Sequence, residues 1–425
     1  FNWVKPLLRG RNRNARTPSR VVLALVLGGS LALSACVQSG ARTGGPSTPE
    51  PPPPTAQPTT PVESEPLEGA GPLLGPEAGN LSRVALLVPL SGNGASVGQS
   101  IKKAAEMAAF DIGSENFVLQ PYDTRGTPAG AAEAARTALA QGAKLILGPL
   151  FGDSVRTVAP LAAQRGVNVI AFSTDETVAG GNVYLSGFLF ADQVERILTY
   201  AKQNARNSVA VLAPANAFGY AVAGATRQIA PQLGMSMSGE EFYDPNNADN
   251  SAVVQQILAR PFDTLILPDQ GLSLKAVASL LPYYGLDPQK VMVAGTMLWG
   301  QDRSLANEAS LDGAVFPTVS PNAKANFETR YRSNFGEDPS ELAGLGYDAT
   351  ALAALLDRNA GGQDVYSAAT LQAPTGFSGV YGIFRFRNNG TVDRGLALMR
   401  INPSAAGGIE TVEPAPSSFA PRPGS

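Results

Sequence analysis

The chain has 425 residues, 44% of them hydrophobic and 16% charged, a balance that supports a sizeable globular core. Its net charge of −3 offers no basic face for nucleic acid. With no His and a single Cys, it excludes a Ser-His-Asp triad, a Cys-His pair, His-ligated zinc or iron, and an intramolecular disulfide.

The chain opens on a basic stretch holding Arg9, Arg11, Arg13, Arg16 and Arg20, and no acidic residue occurs before Glu50. An apolar run from Val21 to Leu33 follows, about half the length that spans a bilayer as a helix. These are the parts of a secretory signal peptide over residues 1–35. Leu33-Ser34-Ala35-Cys36 resembles a bacterial lipobox, which implies diacylation of Cys36 and a membrane contact through that lipid alone. Val37 takes the place of the Asp that retains many lipoproteins at the inner membrane, so the expected location is the periplasmic face of the outer membrane. Residues 36–80 then form a Pro-rich tether that includes Pro51 to Pro54. Such a stretch has too few apolar side chains to offset the entropy of ordering, and it reaches on the order of 100 Å.

Residues 81–402 are too many for a single core and predict two lobes. Apolar strands at Arg83–Val88, Phe117–Tyr122, Lys144–Leu147 and Asn168–Phe172 alternate with helices at Val97–Ile112, Pro128–Gln141 and Val155–Arg165. The alternation restarts with helices at Asp192–Asn204, Tyr220–Gln232, Ala252–Arg260 and Ser273–Tyr284. Between them lie strands at Ser208–Leu212, Met235–Tyr243, Thr264–Pro268 and Val291–Ala294. Helices at Asn322–Asn334 and Leu342–Arg358 precede a hairpin in which Gly382–Arg387 alternates and turns at Asn388-Asn389-Gly390. The fold class is α/β, two doubly wound Rossmann-like lobes with a cleft at the strand C-terminal ends. Residues 403–425 are expected to fray.

Val88-Pro89-Leu90-Ser91-Gly92, Gly98-Gln99-Ser100, Asp123, Gly148-Pro149 and Phe172-Ser173-Thr174 resemble the leucine-binding, type I periplasmic binding protein family. That resemblance implies lobe I at about 81–188 and 318–372, lobe II at about 189–317 and 373–402, and three hinge crossings. It assigns the late helices to lobe I and the final hairpin to lobe II. Further stretches look like the penicillin-binding protein activator lipoproteins: Gly148-Pro149-Leu150-Phe151, Ala171-Phe172-Ser173, Leu212-Ala213-Pro214-Ala215-Asn216, Pro282-Tyr283-Tyr284 and Gly382-Ile383-Phe384-Arg385-Phe386. This second likeness implies a non-catalytic activator whose partner is a peptidoglycan synthase, a bifunctional penicillin-binding protein. In enterobacterial activators a helical-repeat domain precedes this one, and here the Pro-rich stretch stands in its place. The alternative is a substrate-binding lipoprotein of an ABC transporter, for amino acids or another small solute.

In amino-acid binders of this fold, hydroxyls and backbone N–H groups of lobe I hold a carboxylate, and an acid from lobe II holds the ammonium. Here Phe151-Gly152 falls where those proteins carry a hydroxyl, Val97 where they often carry an aromatic, and Met297 near their acid. The amino-acid site is therefore read as degraded. Candidate cleft residues are Ser91, Asn93, Asp123, Ser173, Thr174 and Asp175 from lobe I, and Tyr220, Asp269, Gln270 and Trp299 from lobe II. Asp269, at the end of a strand, is the strongest of the second group on position. Ser91 and Asp123 also suit a purely structural role as turn residues, and Tyr283-Tyr284 suits packing. Gly92 and Gly94 lack the spacing and the third Gly of a dinucleotide fingerprint, and no P-loop, zinc or calcium motif occurs, so no cofactor is expected.

Overall fold

The computed structural model describes residues 81–247, 249–359 and 365–419. The signal peptide, Cys36 and the tether read from the sequence lie outside the described residues. No described helix is long and apolar enough to cross a membrane.

The first lobe begins with β1 (Ser82–Val88), α1 (Ala95–Ile112), β2 (Phe117–Asp123), α2 (Pro128–Ala140) and β3 (Leu145–Leu147). It continues through α3 (Gly152–Ala163), β4 (Asn168–Ala171) and β5 (Val183–Leu185). The five strands are parallel in the order β2-β1-β3-β4-β5. Val84 to Val88 are buried without alternation, because helices cover the sheet on both faces.

The second lobe runs α4 (Phe190–Gln203), β6 (Ser208–Pro214), α5 (Ala217–Gln232), β7 (Ser236–Tyr243) and α6 (Ser251–Leu258). Then come β8 (Thr264–Ile266), α7 (Gly271–Tyr283), β9 (Met292–Ala294) and β10 (Val315–Thr318). Side chains alternate between two cores: Ala210, Leu212, Leu265, Val293 and Phe316 face one, and Val209, Val211, Ile266, Met292 and Val315 the other.

The chain then returns to the first lobe with α8 (Pro321–Phe335), α9 (Ala343–Arg358) and the short α10 (Ala368–Leu371). Next come β11 (Phe377–Gly379), β12 (Gly382–Phe386) and β13 (Val392–Arg394), an antiparallel sheet of three strands. This hairpin does not join lobe II as expected. Phe384, Phe386 and Val392 belong to the first lobe's core, the Phe386 ring lies 5.4 Å from Tyr184 on β5, and Leu185 N–H donates to Gly390 O at 2.8 Å. The physical reason is the open edge of β5, which the hairpin's apolar face covers.

Only β14 (Ala397–Ile401) and β15 (Ile409–Glu413) extend the second sheet, whose order is β7-β6-β8-β9-β10-β14-β15. Both run antiparallel to their neighbours. Residues 403–419 are therefore not a frayed tail throughout, since β15 pairs with β14 and the Arg385 guanidinium lies over the Phe419 ring at 4.5 Å. The charged Glu410 and Glu413 made this edge strand hard to read. The chain crosses between lobes three times, near Phe188, Val319 and Leu396, and side chains brace two of these crossings. Arg394 donates to Ser186 O at 2.5 Å, and Arg196 donates to Leu396 O at 2.9 Å.

Candidate functional site

Loops at the strand C-terminal ends of the first lobe face the start of α4 and one side of α5, enclosing a cavity of about 910 Å³. From the first lobe come Asn93 after β1, Phe151 and Gly152 after β3, and Phe172 to Thr177 after β4. From the second come Phe190 and Ala191 of α4, and Ala217, Phe218, Ala221, Ala225 and Gln228 of α5. The small residues of α5 recur at helical spacing, so one face is stripped to methyl groups and leaves room beside Phe218. The helix is set by Asn216, whose side chain caps it by accepting Gly219 N–H at 2.9 Å. A smaller chamber of about 250 Å³ lies at the hinge and shares Thr174, Phe190, Phe218 and Leu342 with the main cavity. Phe188, Met297 and Tyr381 also line it, together with the ion pair Lys324–Glu341 at 2.7 Å.

The polar groups are concentrated on the loop after β4. Ser173 Oγ accepts Asp175 N–H at 3.1 Å. Asp175 accepts the Thr177 N–H at 3.0 Å and pairs with Arg156 at 2.7 Å. A Cβ on Gly152 would fall 2.7 Å from Asp175 Oδ2, so glycine at the start of α3 lets this loop close in. Although Glu176 is exposed as a residue, its carboxylate is desolvated enough to raise its pKa, against the Ala191 N–H that it accepts and the charge of Arg387. Among the described residues lining the main cavity there is no Lys or Arg.

Asn93, Ser173, Thr174 and Asp175 line the cavity. Ser91 and Asp123 do not. Asp123 accepts the backbone N–H groups of Leu90, Ser91 and Arg125 at 2.8, 3.1 and 2.8 Å, and the Ser91 hydroxyl at 2.5 Å. Partial burial opposes, yet those bonds hold its carboxyl below the usual range, and the pair fastens the β1 loop to the β2 loop.

None of the second-lobe candidates reaches the cavity. Tyr220 packs on Phe242 with ring centroids 4.7 Å apart. Asp269 is buried and accepts the Tyr243 hydroxyl at 2.6 Å, burial and that carboxylate pushing the phenol well up. Gln270 merely precedes α7. Trp299 is buried against Phe316 and donates its indole N–H to Asp269 O at 3.0 Å. What sequence reasoning missed is the wall made by Phe190, Phe218, Ala221 and Ala225, together with Glu176. Its only signal was the alanine spacing along α5.

Residues 82–408 match the periplasmic binding protein family. The chain belongs to it. Its fold is the type I periplasmic binding protein fold, and family membership implies a periplasmic location for the domain.

An uncharacterized protein of Rickettsia prowazekii is 23% identical over 220 residues, which span 49% of this chain and 59% of that protein. The Leu/Ile/Val-binding protein BraC3 of Rhizobium johnstonii is 24% identical over 310 residues, 68% of this chain and 82% of its own length. Among solved structures, the branched-chain amino acid transporter substrate-binding protein LivJ of Streptococcus pneumoniae, in complex with isoleucine, superposes with a TM-score of 0.53. It is 20% identical and covers 79% of this chain and 100% of its own. This periplasmic binding protein thus has a leucine-binding-protein-like domain, and the neighbours named for a ligand hold small molecules.

Proposed function

We propose that this chain is a solute receptor of the transport type, closing its lobes on a small organic ligand. The carrying observation is the cavity of about 910 Å³, walled by loops of one lobe and helix faces of the other. BraC3 and LivJ, by their names, take branched-chain amino acids. Here the second-lobe wall is Phe190, Phe218 and alanines, with no acid to meet a ligand ammonium. The cavity's two acids, Asp175 and Glu176, stand instead on the first lobe, the side where amino-acid binders of this fold hold the ligand carboxylate, and no Lys or Arg lines the cavity to pair with one. Free leucine is therefore not the ligand.

A ligand that binds only the folded state raises the melting temperature with its saturation. Across a panel of amino acids, amines, amides and carboxylates, the full chain should respond to at least one solute and show no shift with leucine at modest concentration. A clear shift with leucine returns the amino-acid receptor to first place.

One observation favours the activator reading. Leu272 and Tyr283, the latter in an activator-like stretch, are 86% and 78% exposed on one face of α7, where a synthase has access to them. Replacing both with Ser should abolish binding to a purified bifunctional synthase under that reading; no binding by the unaltered chain ends it. Either way the proposed anchor is Cys36, and Cys36→Ser should abolish palmitate incorporation. Labelling that persists in the variant places the lipid elsewhere.

A further inference from the structure

Resting on the receptor reading, we infer that the cleft selects an organic cation with an aromatic or apolar body, and rejects carboxylates. Two independent features carry this. The first is charge. The main cavity's lining contains Asp175 and Glu176 and no basic side chain among the described residues. Asp175 is neutralised by Arg156 at 2.7 Å, whereas the carboxylate of Glu176 rests on the Ala191 N–H at the start of α4, with Arg387 acting only from a distance.

The chain's own acids also occupy the places where an anionic ligand would settle. Glu176 lines the cavity together with Ala191 at the start of α4, and Asp175 lies beside the first residue of α3. Neither helix has a side-chain cap of its own, so each start is a position that favours negative charge. A ligand carboxylate would meet filled positions and like charge.

The second feature is the wall. Phe151, Phe190 and Phe218 line the same cavity, and the Phe190 and Phe218 rings lie 5.2 Å apart. A ring face attracts a cation and stacks on an aromatic body, and both contacts strengthen as water leaves on closure. The smaller chamber, reached past Phe190 and Phe218, gives the apolar body a place to extend. Its one Lys, Lys324, is held by Glu341 at 2.7 Å and Glu328 at 3.6 Å, so it offers no free charge to an anion.

Three probes of nearly one shape separate the charges: 2-phenylethylamine, 3-phenylpropionate and phenylalanine. Calorimetric titration of the full chain should give at least about tenfold tighter binding of the amine than of either other probe. Glu176→Gln, at an exposed position outside the cores, should weaken the amine by about tenfold, with any change in the free protein's melting temperature no larger than a surface substitution gives. Tighter binding of phenylpropionate, or an amine affinity indifferent to Glu176→Gln, overturns the inference and leaves the receptor reading standing. If none of the probes binds although native mass spectrometry finds a small molecule held by the chain, the cation inference alone falls. If neither method finds a ligand, the receptor reading falls with it.

Discussion

Asp348 and Arg394 meet in the interior of the first lobe at 4.0 Å, both nearly without solvent exposure. Burial pushes the Asp348 carboxyl up to about 6, against the attraction of Arg394 and the backbone N–H groups of Val380 and Tyr381. Burial likewise lowers Arg394. Attraction at that separation does not recover the desolvation of both charges. Because the folded pKa of Asp348 lies above its unfolded value of about 3.9, the native state takes up the proton first. Its contribution to stability is complete below about pH 4 and is lost as pH rises through about 6. Urea unfolding at pH 4.5 and 7.5 should show the natural chain losing about 2 kcal/mol that Asp348→Asn does not lose. Parallel behaviour of the two proteins contradicts this assignment.

The same competition explains which site residues were legible. Asp269 and Trp299 sit at strand ends, where a cleft residue belongs, but the buried Tyr243 hydroxyl needs an acceptor and the indole N–H needs one too. Satisfying those groups draws both side chains inward, and position in the chain carries no trace of that demand.

At the scale of elements, α1 and α9 approach closely enough that glycine is required. In an exposed helix, replacing Gly by Ala gains about 1 kcal/mol. At Gly346 of α9 the new Cβ would land 2.5 Å from the carbonyl oxygen of Ile101, a backbone atom that cannot swing aside. At Gly224 of α5 nothing lies within 4 Å. Gly224→Ala should therefore stabilise by about 0.5–1 kcal/mol, and Gly346→Ala should destabilise by about 1–3 kcal/mol. Denaturant midpoints of the two variants decide it, and equal shifts of one sign would refute the packing argument.

Helices and central strands were legible because apolar runs and helical spacing mark them directly. β5, β10 and β14 went unread because none stands in the regular strand–helix alternation that marked the equally short β3, β8 and β9. The β12–β13 hairpin was recognisable as a hairpin, but its lobe was not. Alternation in Gly382–Phe386 reveals that one face is buried without naming the surface it meets, and Tyr184 on β5 supplies that surface.

For the whole molecule, the two-lobed plan concentrates rigid polar contacts at the crossings and keeps the cleft sparsely charged. Arg387, on the first-lobe hairpin, reaches Asp192 at 3.3 Å and Glu195 at 3.2 Å on α4 of the second lobe. Arg394 and Arg196 hold the crossing backbones nearby. Hinge closure around a ligand is the motion such an arrangement permits, with the lobes turning about braced strands. The ligand's contribution comes from the difference in its affinity for open and closed states.

The central claim is that this cleft holds a small ligand. Ala221 is exposed on the cleft face of α5, so Ala221→Trp fills the cavity without entering a core. Native mass spectrometry of the full chain, purified from its own host, should find a bound small molecule on the natural protein and none on Ala221→Trp. A natural protein that carries no ligand, or an adduct that survives the substitution, would contradict the account.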